Sequence, residues 1–74
     1  MVSSEVIYAH IAQRLREARA GRNMTQAELA SRIGLGQVAI SLWESTERAP
    51  GIDSLAAVAD ALDRPLSYFL DWPR

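Results

Sequence analysis

Few residues in this 74-residue sequence have the types and spacing of a reaction centre. The single histidine, His10, has no metal-ligand partner in spacing, and no nucleophile elbow occurs anywhere in the chain. Asp60 and Asp63 stand one helical turn apart, but on an acidic face of a domain with no room for an enclosed pocket. Gly34-Leu35-Gly36 lacks the lysine and the preceding strand of a phosphate-binding loop. There is no cysteine, which excludes disulfides and thiolate zinc sites. The expectation is therefore no enzyme, no metal and no cofactor. What remains is the chemistry of arginine and amide groups. Between Ala12 and Gly36, Arg14, Arg16, Arg19, Arg22 and Arg32 outnumber Glu17 and Glu28. From Glu44 onward, six acidic residues outnumber Arg48, Arg64 and Arg74. The formal net charge is only −1, yet the front half is basic and the back half acidic. A polyanion would be drawn to the front and repelled by the back; the other reading of the same charges is two solvated helix faces.

Side chains of this kind act only if something rigid aims them. Ile7, Ile11, Leu15 and Ala18 form one stripe on a first helix, capped by Ser3 or Ser4 and ended by Gly21. Thr25-Gln26-Ala27-Glu28 is a capping box opening a second helix, with Met24 and Leu29 placed as a hydrophobic staple. Gly34 stops that helix, because a left-handed turn costs glycine no side-chain clash. A third helix runs from Gly36 to about Ser45, with Ile40 and Trp43 on its inner side. Pro50-Gly51 punctuates a loop, and a fourth helix spans about Ile52 to Leu62 with Ile52, Leu55, Ala56, Ala59 and Leu62 in helical period. Pro65 opens a short last helix with Leu66, Phe69 and Leu70 facing inward. No strand pattern and no repeat occurs. The reading is one all-α domain over residues 1–74, with five short helices around one core. No apolar run suits a membrane span and the N-terminus is unlike a secretion signal, so a cytoplasmic location is expected.

Two helices joined by a very short turn at a steep crossing need a small residue at the contact, a residue tolerant of positive φ in the turn, and a branched apolar anchor in the second helix. Counting from Gln26, Ala30 is fifth, Gly34 ninth and Ile40 fifteenth, with Leu29, Ile33, Leu35 and Trp43 at the other positions expected to be buried. That is a helix-turn-helix pattern. Residues 13–70 resemble the Cro/phage-repressor (XRE) helix-turn-helix family. The residues that carry the likeness are Leu15-Arg16-Glu17-Ala18-Arg19, Met24 to Ala30, Gly34, Ile40-Ser41-Leu42-Trp43-Glu44, Pro50 and Leu55 to Leu62. The resemblance implies a compact five-helix, lambda-repressor-like fold. It also implies sequence-specific binding to double-stranded operator DNA, usually as a dimer, and the function expected is that of a transcriptional regulator, a repressor above all.

By the same resemblance, bases are read by Gln37, Val38, Ser41 and Leu42. Gln37 has the best chemistry, since its amide pairs in two places with adenine, at N6 and N7. Val38 and Leu42 offer only apolar contact, for instance to a thymine methyl. DNA-backbone contacts are expected from Asn23, Thr25, Gln26, Gly36, Arg48 and Arg22, with Gly36 standing where the family usually carries a serine or threonine cap. Arg14 and Arg16 are further candidates for phosphate. Gln26 is also expected to brace the recognition helix, and Arg19 and Glu44 to form a structural ion pair that positions it.

The chain departs from the pattern in one respect that matters. No arginine or lysine lies between Ile33 and Glu47, so guanine reading by arginine, the commonest specific base contact, is absent from the third helix. Weak binding by one subunit and a preference for A·T-rich positions follow. Tyr68, Leu70, Trp72 and Pro73 suggest a homodimer seam in the C-terminal segment. The rival reading is a protein-interaction module on the same scaffold, antitoxin-like or an antirepressor's target, using an exposed Val38/Leu42 pair against a protein partner.

Overall fold

The computed structural model describes residues 3–71. Within them the chain forms five helices and no strand: α1 (Ser4–Gly21), α2 (Gln26–Ile33), α3 (Gln37–Glu44), α4 (Ile52–Ala61) and α5 (Leu66–Leu70). The α2–α3 pair makes the most extensive contact; α1 backs α3 and α5, while α4 packs on α2 and α5. Leu15, Leu29, Ile40, Val58, Leu62 and Phe69 are the large side chains sealed at the centre, one or more from every helix or its end.

Local chemistry sets the helix limits. The Ser3 hydroxyl accepts from the Val6 N–H and starts α1. At α2 the Thr25 Oγ1 accepts from the Glu28 N–H at 3.0 Å, and Glu28 Oε1 accepts from the Thr25 N–H at 2.9 Å. These two bonds hold the exposed Glu28 carboxyl below the usual carboxylate range. Gly34, at φ +74°, closes α2 with the Leu35 N–H donating back to the Ala30 carbonyl at 2.9 Å. The same six-to-one closure recurs at Asn23 after α1 (Met24 N–H to Arg19 O) and at Asp63 after α4 (Arg64 N–H to Ala59 O). Asparagine and aspartate take the left-handed turn there because their short polar side chains tolerate it.

Several sequence expectations change. Gly21 is the last residue of α1, as expected, but the left-handed residue that closes the turn is Asn23. Ile7 is exposed, because an 18-residue helix runs about 27 Å and its first two turns overrun a domain whose shorter dimensions are 22 and 20 Å. Leu35 is 43% exposed: its backbone closes α2 while its side chain lies at the rim of a hollow with Ile33, Asp53, Ser54 and Ala57. Ile52, 64% exposed, and Ala56 face outward, and Val58 takes the inner position on α4 instead. Leu70 is 47% exposed, so α5 buries Phe69 with Leu66 and Tyr68 packed beside it. Trp43 is buried core, as its spacing from Ile40 requires.

Candidate nucleic-acid interface

With Ile40 and Trp43 committed to the core, the helical period sends Gln37, Val38 and Ser41 to the opposite face of α3. Val38 is 70% exposed, more than any other large apolar side chain among the described residues. Leu42 is half-buried, so the expected exposed Val38/Leu42 pair is in fact one exposed valine beside a partly packed leucine. The Leu42 carbonyl ties the following loop to the helix, accepting from the Ser45 hydroxyl at 3.1 Å and the Arg48 N–H at 3.2 Å. Gly36 takes the N-cap position of α3 and supplies no side-chain acceptor.

What fixes that face in space lies behind it. Arg19 of α1 grips the Glu44 carboxylate in two places, Nε to Oε2 at 2.7 Å and Nη2 to Oε1 at 2.9 Å, while its Nη1 donates to the Met24 carbonyl at 2.9 Å. Glu44 is only 7% exposed. The paired hydrogen bonds to Glu44 hold the Arg19 guanidinium more firmly protonated than an arginine in water, against the opposing effect of burial. Gln26 Nε2 donates to Glu44 Oε1 at 3.1 Å, and Gln37 Nε2 donates to Gln26 Oε1 at 3.4 Å. One chain of polar contacts therefore runs from α1 through the end of α3 and the start of α2 back to the start of α3. Such a network is geometrically specific, because a buried acceptor left without its donor is costly.

Arg14, Arg16 and Arg22 have partners within the domain that the sequence did not indicate. Arg16 donates Nη1 to the Glu44 backbone carbonyl, satisfying the C-terminal end of α3 and its negative dipole. Arg14 lies over the Tyr68 ring at 4.8 Å, with Arg64 at 5.6 Å. Arg22 pairs with Asp63 Oδ2 at 2.8 Å and donates Nε to the Leu62 carbonyl at the end of α4. Arg32 lines a hollow between α2 and α4 with Asp60. Arg14, Arg16, Arg19 and Arg22 of the basic front half thus each have a partner within the domain, while Arg16, Arg22 and Arg32 stay exposed. Asn23, Thr25 and Arg48 are exposed, and Gln26 is half-buried within the network. Nothing in the sequence but the resemblance pointed to Glu44 as the hub, and nothing pointed to Arg16 as a cap: a buried carboxylate and a helix-capping guanidinium look the same in sequence as solvated ones. Trp72 and Pro73 of the suggested seam lie outside the described residues.

Residues 15–69 match the helix-turn-helix family HTH_3. An uncharacterized HTH-type transcriptional regulator, y4dL, of Sinorhizobium fredii is 50% identical over 54 residues, covering 73% of this chain and 28% of that protein. The crystal structure of the P22 c2 repressor in complex with synthetic operator 9T superposes with a TM-score of 0.75 at 34% identity, covering 80% of this chain and 89% of that one. An HTH_3 family transcriptional regulator from Vibrio cholerae shares the fold with a TM-score of 0.86 at 23% identity, covering 93% of this chain and 39% of that one. The chain spans between 23% and 52% of the length of the curated relatives it matches. No helix among the described residues is long and apolar enough to cross a membrane.

Proposed function

Because the chain belongs to the helix-turn-helix family HTH_3, we propose that it is a sequence-specific DNA-binding domain of a transcriptional regulator, acting as a repressor. It places α3 in the major groove of operator DNA. The observation that carries this reading is the outward face of Gln37, Val38 and Ser41, held by a network that leaves those three side chains projecting from the domain. Gln37 supplies a donor and an acceptor to adenine, Val38 an apolar surface to a thymine methyl, Ser41 a hydroxyl to base or phosphate, and Leu42 apolar contact at the edge. Asn23, Thr25, Gln26, Arg48 and the N-terminal end of α3 at Gly36 contact the backbone. Arg22 and the α1 arginines are left out of the interface by their internal partners. The domain works in the cytoplasm as a homodimer joined through its C-terminal segment, where Leu70 is exposed.

Selection from a random duplex library tests this. The expected result is an enriched site with two-fold-related halves centred about 34 Å apart, in which Gln37→Ala abolishes the preference for adenine at one position of each half. A library that returns no enriched sequence contradicts the reading.

Salt dependence follows from the fate of the arginines. Among the described residues, Arg48 is the cation left open beside α3, so two protomers neutralise about two phosphates. With a slope of about −0.9 per phosphate, affinity is expected to fall by about tenfold between 50 and 200 mM salt, whereas six to ten phosphate contacts would cost about 10³–10⁵-fold. Fluorescence anisotropy at four salt concentrations measures the slope. A thousandfold loss would mean that the α1 arginines leave their internal partners to meet DNA.

A further inference from the structure

We infer that Glu44, which faces away from the reading surface, is a positioning residue that decides which base Gln37 selects, through the polarity of the two amides between them. The inference rests on the DNA-binding reading above. Its starting point is that an ionised carboxylate only accepts hydrogen bonds. Both Glu44 carboxylate oxygens accept from Arg19 in a two-point contact. Facing it, Gln26 must present its NH₂ group, as the 3.1 Å contact from Nε2 to Oε1 records. The amide is rigid and two-sided, so the Gln26 carbonyl then points to Gln37. Gln37 in turn must offer its own NH₂ group, which donates to Gln26 Oε1 at 3.4 Å. One N–H and the carbonyl of Gln37 remain. A donor beside an acceptor is the complement of adenine N7 and N6–H₂.

Inverting any link inverts the outcome. If Gln26 is made to donate toward Gln37, the Gln37 carbonyl is consumed and both of its N–H groups face the groove. Two donors match the N7 and O6 acceptors of guanine instead. Glu44 thus acts on base identity at a distance, with no contact to DNA.

Two variants test the relay. Glu44→Gln removes the acceptor-only end, and Gln26→Lys makes position 26 a donor only while leaving the Arg19–Glu44 pair in place, so the fold does not depend on the first variant alone. Both are titrated against the operator selected by the wild-type chain, with each of the four bases in turn at the position where Gln37→Ala loses adenine preference. Gln26→Lys is also made in the Gln37→Ala background, to detect any base reading by the lysine itself. The expected result is a fall of about tenfold or more in the adenine-to-guanine preference at that position alone in Gln26→Lys, and in Glu44→Gln where that variant's circular dichroism shows it folded, with the change absent when Gln37 is alanine. A purely structural role for Glu44 would instead weaken binding to all four sequences equally. An operator whose Gln37-dependent position keeps adenine in Gln26→Lys overturns the relay while leaving the DNA-binding reading intact. So does a guanine preference that survives Gln37→Ala. Failure of the wild-type chain to select any site overturns the reading and the relay together.

Discussion

Arg19→Met is expected to lower the stability of the domain by about 3 kcal/mol, which for a chain of this length is a fall of more than about 12 °C in Tm. Methionine keeps the apolar stem of the side chain in place, so the loss is that of charge and hydrogen bonds. It leaves the Glu44 carboxylate, with a side chain only 6% exposed, in its site without a counter-charge, and it removes the donor to the Met24 carbonyl. The figure lies at the lower end of the cost of breaking a buried pair, because Arg19 itself keeps a side-chain exposure of 21%. The variant Arg19→Met with Glu44→Met should recover much of the lost stability, since two apolar side chains replace a pair whose desolvation was itself costly. It should not recover operator selectivity, because Gln26 then has no carboxylate to face. Thermal melts followed by circular dichroism give the first quantity and titrations the second. An Arg19→Met variant melting within about 4 °C of the wild-type chain would show that the pair contributes no more than a surface contact.

That pair also shows what the sequence discloses and what it hides. The capping box, the glycine turn and the alanine at the helix contact are local devices, each readable within four or five residues, and α2, the turn and the start of α3 stand where those devices put them. The identities of the apolar residues also located the core, but not its edges. Ile7, Ile52 and Leu70 fit the helical period and yet lie outside, because periodicity gives the face of a helix and not how far its neighbours extend along it. The destination of each arginine was the least legible feature. Arg14, Arg16 and Arg22 share one helix and its end, and their partners are an aromatic ring on α5, a backbone carbonyl 28 residues distant and an aspartate 41 residues distant. Such pairings depend on long-range packing, so a count of basic residues in the front half says little about the field at the surface of α3. The left-handed turns at Asn23 and Asp63 are likewise silent in the sequence, since only glycine announces such a turn by type alone.

Phe69→Ala tests whether the shortest helix holds the reading head in place. α5 has five residues, too few to persist by its own hydrogen bonds, so its order derives from the Phe69 ring. That ring is fully buried and meets Tyr68 edge-on at 5.1 Å. Removing it is expected to cost about 3–5 kcal/mol, through lost burial and the cavity left behind. A domain this small has a total stability of roughly 5 kcal/mol, near the lower limit for folded proteins. At 37 °C the variant should therefore be largely unfolded and bind no operator. The contact of α5 with α1 makes the loss global, because α1 carries Arg16 and Arg19 to the end of α3. Gln37→Ala should lose the same operator by another route, with an unchanged melting curve, since its side chain is exposed and its bond to Gln26 is long. Cooling separates the two: near 15 °C, where stability is close to its maximum, Phe69→Ala should regain binding and Gln37→Ala should not. A Phe69→Ala variant that melts within about 5 °C of the wild-type chain would mean that α5 is an appendage, and that α1, α2, α3 and α4 hold the reading surface without it.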